Sequence, residues 1–267
     1  MWHHRRVTDL VADALRAAGC VYAEDEAALL RDEATDPGRL AAMVAARVAG
    51  RPLEQVVGWA GLDGVRVHLR PGVFVPRRRS ELLVRVAADE VGRGAETVVD
   101  LCCGSGALGA ALLVRHPDLD LHATDLDPAA TTCARDNLPP ERVHEGDLYD
   151  ALPARLRGRV HVLVVNAPYV PSAAIATLPP EAREHEHHLA LDGGADGLDV
   201  QRRVIAQAPQ WLAPGGLLVL ETGRAQAATT AALMEAAGLA TRQHRAADID
   251  GCATSGRHTR VSTRLDR

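Results

Sequence analysis

The sequence contains no lysine; all thirty of its basic residues are arginine. Composition bias accounts for this as well as function does, so nothing further is drawn from it. The formal net charge of -5 excludes a general attraction to nucleic acid or to an anionic membrane surface. Aromatic residues make up only 3% of the chain, so the core must be aliphatic, built mainly from Ala, Val and Leu. No apolar run is long enough to span a bilayer, and the opening MWHHRRVTDL has none of signal-peptide length. The five cysteines, Cys20, Cys102, Cys103, Cys133 and Cys252, form no C-x-x-C pair and no zinc spacing. Reduced thiols and a cytoplasmic location are the expectation.

What remains is an ordinary globular composition, 47% hydrophobic and 24% charged over 267 residues. That length suits one large domain, or one of normal size with a small one attached. Residues 5–49 repeat apolar side chains at helical spacing: Val7, Leu10, Val11, Ala14 and Leu15, then Leu29 and Leu30, then Leu40, Met43, Val44 and Val48. Gly19, Asp36-Pro37-Gly38 and Gly50 divide them into about three helices, a small bundle over 1–50. Residues 51–79 read as a linker, with a β-hairpin over 62–77 turning at Pro71-Gly72.

From residue 80 to the end, helices and strands alternate. That pattern predicts a doubly wound, mostly parallel α/β sheet. Two final strands, LATRQHR (239–245) and TRVSTRL (259–265), have no helix between them and predict an antiparallel edge hairpin.

The strand ends carry the chemistry. VVDLCCGSGALG (98–109) is a strand, a turn and a helix start, with Gly104, Gly106 and Gly109 in G-x-G-x-x-G spacing. The spacing alone also suits a dinucleotide. Asp100, just before the glycines, suits an amine better, such as the amino group of S-adenosylmethionine. Asp125 ends the next strand, nineteen residues beyond Gly106, where a carboxylate accepts ribose hydroxyls. Asp147 ends the third, placed to meet an adenine amino group, with Leu148 packing on the ring. Any one Asp could simply cap a turn. Three in consecutive strand ends read as amine, ribose and adenine contacts in order.

The fourth strand ends in VVNAPYV (164–170). Asn is a poor strand residue and Pro cannot continue one, so the chain leaves the sheet here. An amide or exocyclic amine nitrogen is a weak nucleophile because its lone pair is delocalised. Two acceptors on its N–H groups would hold it in line with a methyl sulfonium. The Asn166 side-chain oxygen and the Ala167 carbonyl can supply them, with Pro168 stiffening the loop and Tyr169 stacking on the flat group.

These residues carry a resemblance. Asn-Ala-Pro-Tyr is similar to the Asn-Pro-Pro-Tyr of methyltransferases acting on planar nitrogen, both DNA adenine and protein glutamine-N5 enzymes. FVPRRRSELLV (74–84) resembles the PRPETE-L segment of the HemK/PrmC-type release-factor glutamine methyltransferases. GGADGLD (193–199) and LAPGGLLVLETG (212–223) resemble later segments of that family. The resemblance spans nearly the whole chain and is strongest over 74–222.

It implies a class I Rossmann-like methyltransferase domain over 80–267, with a seven-stranded sheet and S-adenosylmethionine as cofactor. The acceptor would be a glutamine amide in a protein, in the family case a class I release factor, and the 1–50 bundle would recognise that protein. Asp100, Gly104, Gly106, Asp125, Asp147 and Asn166 fall on family positions for cofactor or substrate. By the same resemblance Cys102, Leu126 and Leu148 join the cofactor wall. Phe74, Pro76, Arg77 and Glu81 join Tyr169 at the acceptor. No membrane partner and no resident metal are implied, and the protein would be a monomer or weak dimer.

Two departures stand out. Ala167 replaces a family Pro, which frees φ and adds an N–H. Arg78 and Arg79 replace Pro and Glu, adding positive charge near the expected substrate mouth. They suggest a divergent paralogue whose acceptor need not be a release factor. The rival readings are a DNA or RNA adenine-N6 methyltransferase, which the net charge disfavours, a non-catalytic module keeping the fold, and a nicotinamide-dependent oxidoreductase. EHEHH (184–188) lacks metal-ligand spacing and is expected to be a solvated loop at the substrate entrance.

Overall fold

The structure, a computed structural model, describes residues 9–259. It begins with helices α1 (Leu10–Ala17), α2 (Ala23–Glu33), α3 (Pro37–Val48) and the short α4 (Leu53–Val57). Local chemistry sets their starts. Asp9 caps α1 by accepting from the Val11 and Ala12 N–H groups, and Asp36 caps α3 with Pro37 in its first turn. Leu15, Ala27, Leu30 and Met43 bury the facing stripes in an apolar cluster of their own. Arg47 ties this layer together and to the rest of the molecule. Its Nε donates to Glu26 at 2.6 Å and its Nη1 to Glu181 at 2.5 Å.

A hairpin follows, β1 (Trp59–Leu62) with β2 (Val65–His68). Its turn is Asp63-Gly64, not Pro71-Gly72: both turn residues have positive φ, 52° and 78°, as a two-residue hairpin turn requires. The Pro71-Gly72 bend serves a different contact, a parallel bridge from Gly72 to Glu186.

The remaining elements are α5 (Glu81–Val91), β3 (Thr97–Leu101), α6 (Ala107–Arg115), β4 (Asp120–Asp125), α7 (Pro128–Asn137), β5 (Val143–Glu145), β6 (Val160–Val165), α8 (Pro180–His185), α9 (Asp199–Trp211), β7 (Leu212–Glu221), α10 (Ala227–Ala236), β8 (Leu239–Ala246) and β9 (Gly251–His258). Seven strands form one sheet in the order β5-β4-β3-β6-β7-β9-β8, with β9 antiparallel to both neighbours. Successive residues of the central strands feed opposite layers. Val98, Val162, Val164 and Val219 pack with α5, α6 and the hairpin. Val99, Leu163, Val165 and Leu218 pack with α9, Tyr149 and Trp211. Continuous Val/Leu runs are what a sheet covered on both faces demands.

The expected strand TRVSTRL lies, apart from Thr259, outside the described residues. The strand β9 is Gly251–His258. Its small residues look unlike a strand, yet β9 lies between β7 and β8, buried over residues 251–256. A Cβ on Gly256 would come within 2.9 Å of Leu239 and 3.0 Å of Met234. Packing, not β propensity, chose these residues.

Candidate active site

Strand order reverses between β3 and β6, and a crevice opens at the carboxyl ends of the strands on either side of that switch. A cavity of about 770 Å³ fills it. Cys102, Gly104, Asp125, Leu126, Asp147 and Leu148 line one part, and Asn166, Pro168, Tyr169, Phe74, Pro76 and Arg77 another. Asp100, Gly106, Ala167 and Glu81 are not on the wall.

The three glycines after β3 divide their work. Gly104 sits at φ 56°, and a Cβ built there would meet nothing within 4 Å, so its backbone faces open cavity. On Gly106 a Cβ would reach 2.8 Å from Leu138, and on Gly109 3.0 Å from Leu121. Those two are required by helix packing. Cys102 adopts φ 61°, a conformation costly for a residue with a Cβ. Burial, then the Asp125 charge, pushes its thiol pKa well up, which disfavours the thiolate.

Asp125 locks the loop. Its Oδ2 accepts the Gly104 N–H at 2.8 Å and its Oδ1 the Asp127 N–H at 3.0 Å. Burial raises its pKa against these N–H donors. Asp100 lies beneath the loop. Its Oδ2 accepts the Gly109 N–H at 3.0 Å, and its buried Oδ1 has no partner among the described residues. Burial lifts its pKa to about 7. Asp147 does face the cavity, but its Oδ2 already holds Arg203 of α9 at 2.6 Å.

After β6, the Asn166 Nδ2 donates to Ser80 Oγ at 3.3 Å, which leaves the amide oxygen pointing away from that contact. Ala167 is 1% exposed. The Tyr169 hydroxyl donates to Glu221 Oε1 at 3.1 Å, and its carbonyl accepts from Gln226 Nε2 at 3.0 Å. Burial, then the Glu221 charge, pushes the Tyr169 pKa well up. The glycines of GGADGLD serve this loop. Gly197 presses so close to the Tyr169 carbonyl that a Cβ would sit 2.3 Å from it, and on Gly194 a Cβ would collide with Asp199.

The EHEHH loop is not simply solvated. Glu186 is 6% exposed and ion-paired with Arg77, while the His187 N–H bonds the Gly72 carbonyl at 3.1 Å. The His187 ring reaches Asp127 at 3.2 Å. Backbone pairing with the 72–77 linker draws this segment down against the cavity. Arg77 also lies over Phe74, 5.4 Å from its ring centre. Glu81 turns to Arg85 at 3.4 Å on α5. Sequence reasoning missed Ser80, Glu186, Arg203, Glu221 and Gln226. Glu221 alone left a signal, a further acid at a strand end.

This sheet order, with the glycine turn after its first central strand and a second loop across the crevice, defines a Rossmann-like methyltransferase. Residues 64–178 match the Methyltransferase small domain family. The fold is shared with a solved methyltransferase from Pyrococcus furiosus, at TM-score 0.53 and 16% identity over 73% of this chain and 90% of that one. A release factor glutamine methyltransferase from Cereibacter sphaeroides is 38% identical over 95% of this chain and 98% of its own length. A 4-amino-L-phenylalanine/4-methylamino-L-phenylalanine methyltransferase from Streptomyces pristinaespiralis is 37% identical over 83% and 78%. The chain belongs to the release factor glutamine methyltransferase family, and its cofactor is S-adenosylmethionine. The site fits that group: open space against the Gly104 backbone, and the Asp125 carboxylate beside it.

Proposed function

We propose that this enzyme methylates the side-chain amide nitrogen of a glutamine in a protein substrate, a release factor being the first candidate. One observation carries the reading: Asn166, Pro168 and Tyr169 open onto the same cavity as Gly104 and Asp125. Bound there, S-adenosylmethionine supplies a methyl group on a sulfonium, which leaves as a neutral thioether. Gly104 and Asp125 would hold it, Asp125 by accepting ribose hydroxyls, with Cys102, Leu126, Asp147 and Leu148 completing the wall. Asp100 acts through the loop, by its bond to Gly109. The Asn166 side-chain oxygen accepts one N–H of the amide and orients its nitrogen; the Ala167 carbonyl, off the cavity wall here, would reach the second N–H after a small shift of the loop. Tyr169 stacks on the amide plane, with Phe74, Pro76 and Arg77 at its edge. Helices α1–α4 take the rest of the protein substrate.

Five free cysteines are in keeping with a cytoplasmic enzyme, and among the described residues no helix is long and apolar enough to cross a membrane. Arg79 at the mouth of the site, together with the Streptomyces pristinaespiralis relative, supports a second reading in which the acceptor is the amine of a free amino acid.

The test is transfer of label from radiolabelled S-adenosylmethionine to purified release factor, a Gly-Gly-Gln peptide and unmethylated DNA, mapped by mass spectrometry. Label on a glutamine amide is expected. Label on adenine, or on nothing while cofactor binds, would defeat the proposal.

A further inference from the structure

Arg79 stands on the cavity wall beside Asn166 and Tyr169, its side chain 45% exposed. Its Nε donates to Glu221 Oε1 at 3.3 Å, and Glu221 is only 3% exposed. The same carboxylate oxygen takes the Tyr169 hydroxyl, and the guanidinium carbon lies 5.9 Å from the Tyr169 ring centre. The inner edge of the guanidinium is therefore tethered, and its plane is held near the ring expected to carry the acceptor group. Among the described residues neither Nη of Arg79 has a hydrogen-bond partner. Arg77, two positions earlier, differs in that its Nη2 is spent on the buried Glu186.

A tethered guanidinium loses little freedom when it binds, and its outer Nη pair matches a carboxylate in bidentate fashion. We infer that Arg79 is a specificity-determining residue: the methyl acceptor carries a carboxylate within one side chain's length of the nitrogen that is methylated. This rests on the methyl-transfer reading above and narrows it. A neutral Gly-Gly-Gln segment would leave the fork unpaired. A glutamine beside an acidic group, or a free amino acid with its α-carboxylate, would fill it.

The test compares three acceptors with the full chain: acetyl-Gly-Gly-Gln-amide, the same peptide with a free C-terminal carboxylate, and a free aromatic amino acid bearing a ring amine. Wild type is expected to favour a carboxylate form over the neutral peptide by about tenfold or more in kcat/KM. A preference within the peptides alone identifies a protein source, and transfer chiefly to the free amino acid a small-molecule one. Arg79→Lys keeps a charge beside Glu221 but loses the fork, and should cut the preference at least severalfold; Arg79→Glu should reverse it. Acceptor binding is read separately by calorimetry with S-adenosylhomocysteine present. Equal use of neutral and carboxylate acceptors by wild type, or a preference that survives in both variants, overturns the role of Arg79 while leaving methyl transfer standing. A carboxylate preference in binding with no transfer to any acceptor upholds Arg79 and overturns the acceptor reading instead.

Discussion

The Asp125 carboxylate accepts the Gly104 N–H at 2.8 Å, so the end of β4 and the turn after β3 hold one another. One acid thus shapes the loop and, in the function proposed above, would also meet the cofactor ribose. Asp125→Ala is expected to weaken S-adenosylhomocysteine binding on the order of 10- to 100-fold, the range for losing a charged hydrogen-bonding partner. Calorimetry decides it, and an unchanged Kd would refute the ribose assignment.

Asn166 should behave in the opposite way. Its contact with Ser80 holds the side chain in place, and its oxygen is assigned to the acceptor. Asn166→Ala should lower kcat by roughly a hundredfold or more, as for loss of an orienting polar group. Cofactor Kd should move little. A parallel loss of both would mean that Asn166 serves the cofactor and not the acceptor.

Ala167 stands where the Asn-Pro-Pro-Tyr motif that the chain resembles has proline, and its N–H makes no backbone hydrogen bond among the described residues. Ala167→Pro should therefore cost no hydrogen bond and should stiffen the loop. A gain of about 0.4–1 kcal/mol in denaturant stability is expected from the restricted unfolded chain. Turnover should rise, because the carbonyl at 167 is better preset. Lower turnover with cofactor binding intact would show that the loop needs the freedom alanine provides.

Asp100 makes stability depend on pH. Its folded pKa is raised by burial to about 7, against an ordinary value of 3.8. Between those values the folded state binds a proton that the unfolded state has lost, so stability falls as pH rises. The contribution is complete below about pH 4 and gone above about pH 7. The cofactor-free protein should melt at progressively lower temperature from pH 5 to pH 8. Asp100→Asn, which cannot ionise, should flatten that slope and be the more stable form at pH 8. A wild-type slope retained in the variant would place the titration elsewhere.

Much of this was legible in the chain. Val162–Val165 read as a buried strand, and Asn166-Ala-Pro-Tyr169 as its exit toward chemistry, because both signals lie in contiguous residues. The glycine turn was legible as a ligand loop for the same reason. The hairpin turn and the strand at Gly251–His258 were not. Asp63-Gly64 and Pro71-Gly72 are both good turn sequences, and only strand pairing chooses between them. Gly251–His258 looks unlike a strand until its neighbours are known to leave room for nothing larger.

The alternation of helix and strand, the order of the strand-end acids and the kind of nitrogen chemistry the fourth strand leads to are all written in the linear chain. Each depends on periodicity or on residue types a few positions apart. It takes the folded arrangement to show that Gly104 faces the cavity while Gly106 and Gly109 face the core, and that Asp100 sits beneath the loop. That arrangement alone pairs Asn166 with Ser80, Tyr169 with Glu221 and Arg77 with Glu186, across separations of 86, 52 and 109 residues. Such partners are brought together by sheet order and layer packing, to which no local pattern in the chain refers.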